Sequence, residues 1–545
     1  MTGKKLYIFF VLMFVCVCTG RVSAQDLSGS FSNYSGSRSL IVNPAGISTS
    51  NVYFDVGLSA SFNFSNNFLY LCGTDFTKWV FHGFNVNYWP AYDLGDNFYR
   101  YKWYKHAFRF DGNTDYKKFK SGFDFNVFSM MYNIAPKQTI AITFNNRMYL
   151  SGDNIPYEIA EILSLSLCED GVRTTADGQN VYYKIPRTKY FKNYTSEDTK
   201  VSALEWSEIG LAYSATVYDR YTDKIDVGVT AKYLMGYSGG AYVQNHIDYD
   251  IKSVDSTYVN SVDAEFAYAY SYNYDRDGFS YYHDKLKRMK RVLGFGGKSC
   301  GTGFGFDIGF VYTHKRYSDT KTRYERSCEY PSTDYEWKIG VSVVDLGFIK
   351  FNSHATTRRY TSDGVIKMNN DIIFGDQMDN MDEVVLTDFF DNLSYHCYGD
   401  STASIRGTSF TMGLPTALSL QFDWNVRDNY YIGAIWMQPI RLQKYSVVRA
   451  AQLVLTPRYE TRRWEITVPI TFVDYNRLYL GLSVRYSVFT IGTQNLLNII
   501  GIGKTYGANI YLGVKFNLCK GRCLDKHYSC LPYNSYRKSE YNRKK

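Results

Sequence analysis

The sequence predicts a transmembrane antiparallel β-barrel of 14–16 strands with long extracellular loops, on three observations. The first is one stretch, Val52 to Phe64, in which every even position is apolar (Val52, Phe54, Val56, Leu58, Ala60, Phe62, Phe64) and the odd positions hold Tyr53, Asp55, Gly57, Ser59, Ser61 and Asn63. Successive strand side chains point to opposite faces, so this period of two makes one oily face and one wet face. Ordinary strands average about 5–6 residues, whereas tilted strands that cross a bilayer need about 9–11. The second observation is that the pattern recurs along the chain, with short turns alternating with long loops. The third is composition. Aromatics make up 18% of the residues, with 52 Tyr, yet the mean hydropathy is −0.31. Lipid-facing and lumen-facing residues average out in a barrel, and its aromatics form girdles at the two interfaces.

The N-terminus carries Lys4 and Lys5, an apolar run from Leu6 to Cys18, and Val22-Ser23-Ala24. That is the layout of a secretory signal over residues 1–24, with the mature chain starting at Gln25. The run is shorter than the roughly 20 residues of a spanning helix, and Val17 before Cys18 does not suit a lipoprotein. The formal charge is +9. Lys4, Lys5 and Arg21 leave with the signal, and the stretch from Cys519 to Lys545 is itself strongly basic. The strand-rich body is therefore near neutral, which does not suit a nucleic-acid partner.

Ser28–Ser50 is rich in Ser, Gly and Asn and ends in Asn43-Pro44-Ala45-Gly46, a turn signal that predicts irregular structure before the first strand. A long Tyr/Trp/Asp-rich excursion covers 73–121. Phe123–Ile134 and Thr139–Leu150 form a hairpin around Pro136-Lys137, and a loop with a helix near Pro156–Leu167 follows. Ile209–Val217 and Ile225–Met235 alternate across Tyr221-Thr222-Asp223. Further strands are expected near 241–249, 257–272 and 303–316, and at Tyr335–Val343. Residues 352–412 form an excursion with an acidic helix around Asp376–Leu393. Strands led by Leu418, Trp464, Leu478 and Ala508 finish the chain. The count is 16, or 14 without the weak pair near 352–362 and 488–494, and residues 52–518 form the barrel.

Enzyme motifs are missing. The eight His fall in no H-x3-H or H-E-x2-H setting, no G-x-S-x-G elbow occurs, and neither a cofactor nor a bound metal is expected. Cys519, Cys523 and Cys530 with His527 leave open a zinc site, a local disulfide or free thiols in a basic periplasmic tail (519–545). The acidic run Asp371, Asp376, Asp379, Asp382, Glu383, Asp388 and Asp391 reads as a solvated helix face or a Ca2+ site. Strand parity places Asp55, Arg147, Asp423, Arg427, Glu465, Arg485 and Lys515 in the lumen, as functional candidates or as an ion-pair network that satisfies itself.

Four blocks, SNYSGSRSLIVNPAGISTSNVYFDVGLSASFNFSNNFLYL (Ser32–Leu71), VSVVDLGFIKF (Val341–Phe351), LPTALSLQFDWNV (Leu414–Val426) and the stretch Arg462–Leu518, resemble in order an uncharacterised family of outer-membrane barrels from Bacteroidota. More distantly, an N-P-A-G just before the first strand resembles the long-chain fatty-acid transporter class and the barrel subunits of type IX secretion. The resemblance implies that residues 25–51 fold into the lumen as a plug, with Asn43, Pro44, Ala45 and Gly46 as structural residues. The Cys-containing tail departs from that pattern. Two functions follow: a plugged transporter-like barrel for a small or hydrophobic solute, or a structural or secretion-associated barrel that docks envelope protein partners. Outer-membrane lipid surrounds it in both. Transport predicts a continuous cavity behind Asn43–Ser50, and docking predicts a lumen packed solid. Deleting Ser28–Ser50 is expected to open a conducting path. On strand faces, Leu420→Arg is expected to hurt insertion and Gln421→Arg to be tolerated.

Overall fold

The structure is a computed structural model. It describes residues 27–72, 91–93, 99–101, 109–111, 116–135, 137–164, 172–174, 181–183, 193–220, 222–253, 256–270, 299–315, 335–362, 366–369, 386–427, 429–499 and 502–519. The expected signal peptide, the segment 370–385 with most of the acidic run, and Cys523, His527 and Cys530 lie outside the described residues. Among the cysteines, Cys300 and Cys397 are free thiols.

Fourteen antiparallel strands close into a ring: β1 (Val52–Asn66), β2 (Lys117–Ala135), β3 (Gln138–Ile155), β4 (Asn193–Arg220), β5 (Asp223–Ser253), β6 (Gly301–Lys315) and β7 (Tyr335–Phe351), then β8 (Ala417–Arg427), β9 (Tyr430–Pro439), β10 (Gln452–Glu460), β11 (Trp464–Thr467 and Ile470–Val473), β12 (Arg477–Leu480 and Leu482–Tyr486), β13 (Phe489–Thr493) and β14 (Gly507–Cys519). β14 returns to β1 in register from Phe54↔Leu518 to Ser65↔Gly507. The closed ring therefore leaves no open edge.

Membership of the ring differs from the expected one, although the count of strands does not. The expected strands at 225–235 and 241–249 are one continuous strand, β5. Its first half, Asp223–Gly236, pairs with β6. Its second half pairs with Ser256–Tyr270, which in turn pairs with Ala355–Ser362. These form a sheet that continues beyond the ring, so 257–272 and 352–362 are not barrel strands. The weak stretch near 488–494 is one: β13 bonds to both β12 and β14. β11 and β12 are each interrupted. Pro469 cannot donate to a ladder, and its carbonyl takes the Gly481 N–H instead. A Cβ at Gly481 would stand 2.2 Å from the Thr493 carbonyl. Helices are found at Tyr157–Ser164 and Leu386–Tyr398, the latter shifted toward the C-terminus of the expected acidic helix.

Burial is inverted relative to a water-soluble protein. On β6, Phe304, Phe306, Ile308 and Phe310 are exposed, while Gly303, Gly305, Asp307 and Gly309 between them are buried. On β4, Leu211 is 62% exposed and Ser214 0%. On β8, Phe422, Trp424 and Val426 point out and Ser419, Gln421, Asp423 and Asn425 point in. A continuous apolar belt around a polar interior is stable only against lipid. No described helix is long and apolar enough to cross a membrane; the apolar belt is carried by the strands. Ile308→Arg is accordingly expected to cost roughly 2–4 kcal/mol of insertion, read as loss of heat-modifiable, folded protein on a gel. An unchanged folded fraction would mean that β6 does not face lipid.

Candidate functional site

The site is the lumen, and residues 27–51 occupy it. A 3-10 turn (Gly36–Ile41) and a single helical turn (Gly46–Thr49) are joined by Val42–Ala45. Leu27, Phe31, Val42 and Ala45 are buried against Val311, Val344, Ala417, Ile435, Met437 and Val454 of the wall.

Asn43 is the seat of this segment. Its Oδ1 accepts from the Ala45 N–H at 2.9 Å, an Asx turn that holds Pro44 in place. Its Nδ2 donates to Gln421 Oε1 at 2.9 Å and to the Phe310 carbonyl at 3.1 Å. Gln421 Nε2 in turn donates to the Val42 carbonyl at 3.3 Å, and the Ser342 hydroxyl donates to the same oxygen. The segment lies this close because the wall beneath it is bare at two glycines. A Cβ at Gly228 would stand 2.4 Å from the Ala45 nitrogen, and one at Gly309 2.0 Å from Asn43 Oδ1. Gln421 therefore serves the plug, so Gln421→Arg, expected from parity to be tolerated, would put a guanidinium into this contact.

A second clasp joins the plug to the seam where the ring closes. Lys515 Nζ on β14 donates to the Tyr34 carbonyl at 2.5 Å and the Ser35 carbonyl at 2.7 Å. Asp55 Oδ2 on β1 accepts the Ser37 N–H at 2.8 Å. Gly36 between them has φ +55°, and a Cβ there would meet Asp55 Oδ2 at 1.8 Å. On the β8–β10 side, Glu460 accepts from the Tyr34 N–H and Asn33 Nδ2, both at 3.2 Å. Arg458 holds Glu460 at 2.9 Å and bonds Asp423 through both terminal nitrogens at 2.7 Å. Arg485 pairs with Glu465 at 2.9 Å and lies 5.3 Å over the Tyr34 ring.

Above the plug is a layer of charge centred on Asp345. Its carboxylate takes Arg147 at 2.7 and 3.0 Å, Lys232 at 2.7 Å, and Arg449. Arg147 also reaches Asp124 at 2.5 Å and Glu208 at 3.4 Å, and Lys232 reaches Asp307 at 2.8 Å. Asp345 has φ +55° in mid-strand, next to an irregularity in the β6–β7 register after Phe306. Its N–H donates to Asp307 Oδ1 at 2.7 Å. Charges this deeply buried persist only when each has several partners.

Of the seven residues that parity places in the lumen, Asp55, Arg147, Asp423, Glu465, Arg485 and Lys515 point inward and are buried or nearly so. Arg427 does not: it ends β8, exposed, opposite Tyr430 at the turn. Asp345, Lys232, Asp307, Glu208, Arg458 and Glu460 were missed. Lys232, Asp307, Glu208, Arg458 and Glu460 stand at inward parity on their strands, which could have found them, whereas Asp345 falls in phase with outward Ile339 and Val341 and is turned inward only by the irregularity in β7. Arg449 was also missed, and being in a loop it has no parity to read.

Between plug and charge layer lies a cavity of about 120 Å³, bounded by Arg38, Leu40 and Ile41 of the plug, by Asp345, Arg147 and Lys232, and by the β1–β14 seam. Small-molecule sites run to about 300–1,000 Å³, so this cavity is smaller than an ordinary ligand site and the described residues beside the plug leave little open volume. Burial lowers the basicity of the Arg38 guanidinium, with Tyr511 and Glu465 acting in the opposite sense. Among the described residues no group of three His, Cys, Asp or Glu is placed to hold a metal ion.

The chain belongs to a family of unknown function, DUF5723, which residues 44–494 match. No curated protein matches the sequence. Among solved structures, a TodX monoaromatic hydrocarbon channel mutant is similar at 9% identity and a TM-score of 0.32, covering 89% of this chain and 95% of that one. A FadL homologue from Pseudomonas aeruginosa is similar at 10% identity and a TM-score of 0.22, over 92% and 96% of the two chains. The translocator domain of the autotransporter NalP from Neisseria meningitidis is similar at 6% identity and a TM-score of 0.26, over 85% and 88%. Likenesses this distant say nothing about cargo.

Asp345→Ala would leave Arg147, Lys232 and Arg449 short of their shared carboxylate, at an expected cost of roughly 3–5 kcal/mol. Arg427→Ala, on the exposed turn, should stay within about 0.5 kcal/mol of wild type. Urea unfolding in detergent micelles compares the two, and equal effects would contradict this assignment.

Proposed function

We propose that this protein is an outer-membrane barrel that passes a small uncharged or hydrophobic solute and rests closed. The observation that carries the reading is an apolar-belted ring whose lumen is filled by the chain's own N-terminal segment. That segment is held by hydrogen bonds and by contacts over bare glycine backbone, not by strand pairing. A segment attached in this way can move without opening the ring. The chamber next to it is charge-balanced: Arg38, Arg147, Lys232 and Lys515 face Asp124, Glu208, Asp307 and Asp345. Such a lining sets up no net field to concentrate an ion of either sign. Leu40, Ile41 and Val344 add an apolar side.

A second reading has its own support. The small open volume beside the plug is what a barrel that docks envelope or secretion proteins needs, and the sheet built from Ser256–Tyr270 and Ala355–Ser362 offers a platform beyond the ring. Flux decides between them. Proteoliposomes with the intact protein should pass a small neutral solute slowly, and Gly309→Leu, which drives a side chain into Asn43, should speed passage. A folded Gly309→Leu barrel with no flux above empty vesicles would favour docking. For either reading, membrane fractionation should place the mature chain, starting at Gln25, in the outer membrane, and recovery in the soluble periplasm would defeat both.

A further inference from the structure

The segment between β9 and β10, residues 440–451, does not lie over the outside of the barrel. Its first half is largely exposed, but Ser446 to Ala451 are all buried. Val447 is packed among Tyr149, Trp206, Phe351, Phe410 and Met412. The loop leaves from ring positions nine and ten of fourteen and reaches β3 at position three, six or seven places away, which is the opposite wall. There the Val448 N–H donates to Ser151 Oγ at 3.2 Å and Arg441 pairs with Asp153 at 2.7 Å. On the way Gly413 donates its N–H to the Tyr445 carbonyl at 2.8 Å. Arg449 points down the lumen, with Nε on the Pro415 carbonyl at 2.9 Å and a terminal nitrogen on Asp345.

The plug precedes β1 and enters at the end of the ring where Val52 and the short turns lie. Residues 440–451 enter from the other end. We propose that this strap is a second gate, latched by Arg449 on Asp345 and independent of the N-terminal plug, and that the cavity beside the charge layer lies on the path between the two. The inference rests on reading the lumen as a solute path. It also revises the expectation that deleting Ser28–Ser50 alone opens the barrel: with the strap in place, that deletion removes one closure of two, and the Gly309→Leu flux comparison decides between transport and docking only in a chain that also carries Arg449→Ala.

The latch is built to release. Asp345 keeps Arg147 and Lys232 when Arg449 leaves, so release strands no buried carboxylate, and Arg449 comes out into water at the mouth. Arg449→Ala therefore tests the gate while leaving Asp345 paired with two cations.

Planar-bilayer conductance compares the intact chain, a deletion of residues 27–50, Arg449→Ala, and the two combined. Steady current is expected only from the combination, with each single change giving less than about a tenth of it. Full current from the plug deletion alone would overturn the second gate. Because that deletion takes partners from Asp55 and Lys515, a second measurement keeps the plug. Thr490→Cys puts a thiol on the chamber wall, and its labelling by a membrane-impermeant maleimide from the strap side is compared with and without Arg449→Ala, against the same chains lacking Thr490→Cys. The rate should rise at least about tenfold, and an unchanged rate would overturn the proposal. Neither readout needs a cargo. A chamber that opens to ions and maleimide but passes no neutral solute defeats the transport reading and leaves the gate standing. Solute flux with no effect of Arg449→Ala on labelling defeats the gate alone.

Discussion

Everything in this molecule depends on one constraint: in hydrocarbon, a backbone N–H or C=O has no water to fall back on. Each strand must find partners on both sides, and the sheet must meet itself. The β1–β14 ladder does this over thirteen residues of β1. Closure then fixes the rest. With helices short and strands spanning, every second side chain goes to lipid and every other one into an enclosed interior. A sequence that is polar on average becomes an apolar belt around a polar lumen.

That interior has its own difficulty. A ring of fourteen strands encloses more room than its wall side chains fill, and charges facing into it lose much of their hydration. Two kinds of filling meet this. The plug uses backbone and, Arg38 apart, neutral side chains, laid against Gly228, Gly309 and Gly340 where the wall is thinnest. The strap brings a guanidinium to a carboxylate already surrounded by cations. The left-handed backbone at Asp345 belongs to the same solution, because it turns the peptide N–H onto Asp307. Strain of that kind persists where surrounding contacts over-determine it.

The fold was legible because alternation is a local property. Leu418 to Val426 reads as a strand with two faces from nine letters, and burial along β8 follows that reading. What a single strand does not record is its neighbour. Ser256–Tyr270 alternates as well as any wall strand, yet it pairs with the upper half of β5 and stays outside the ring, whereas Phe489–Thr493 is short and still a wall strand. Pairing is settled by which edge remains free, and that is a long-range fact. The same limit applies to the site. Asp55, Arg147 and Asp423 could be assigned to the lumen by parity, but not who meets whom: Arg147 and Asp345 are 198 residues apart. Arg427 failed because parity lapses where β8 gives way to its turn, at the register shift after Asn425. Arg449 sits in a loop, where there is no period to read.

The wall is arranged so that neither closure is irreplaceable to it. When Arg449 withdraws, Asp345 still has two cations. When the plug withdraws, Asp55 loses the Ser37 N–H and Lys515 loses two carbonyls, but these two side chains sit on adjacent strands. Asp55 is opposite Asn517 and Lys515 opposite Gly57, two register positions apart, and both already converge on Gly36. With Gly36 gone, carboxylate and ammonium have each other. Buried pairs are costly to break one partner at a time, not to rearrange. A lumen whose charges can re-pair after its occupant leaves is suited to being emptied and refilled. A lumen that only needed filling would have no use for charges, since packed apolar side chains would have filled it more cheaply.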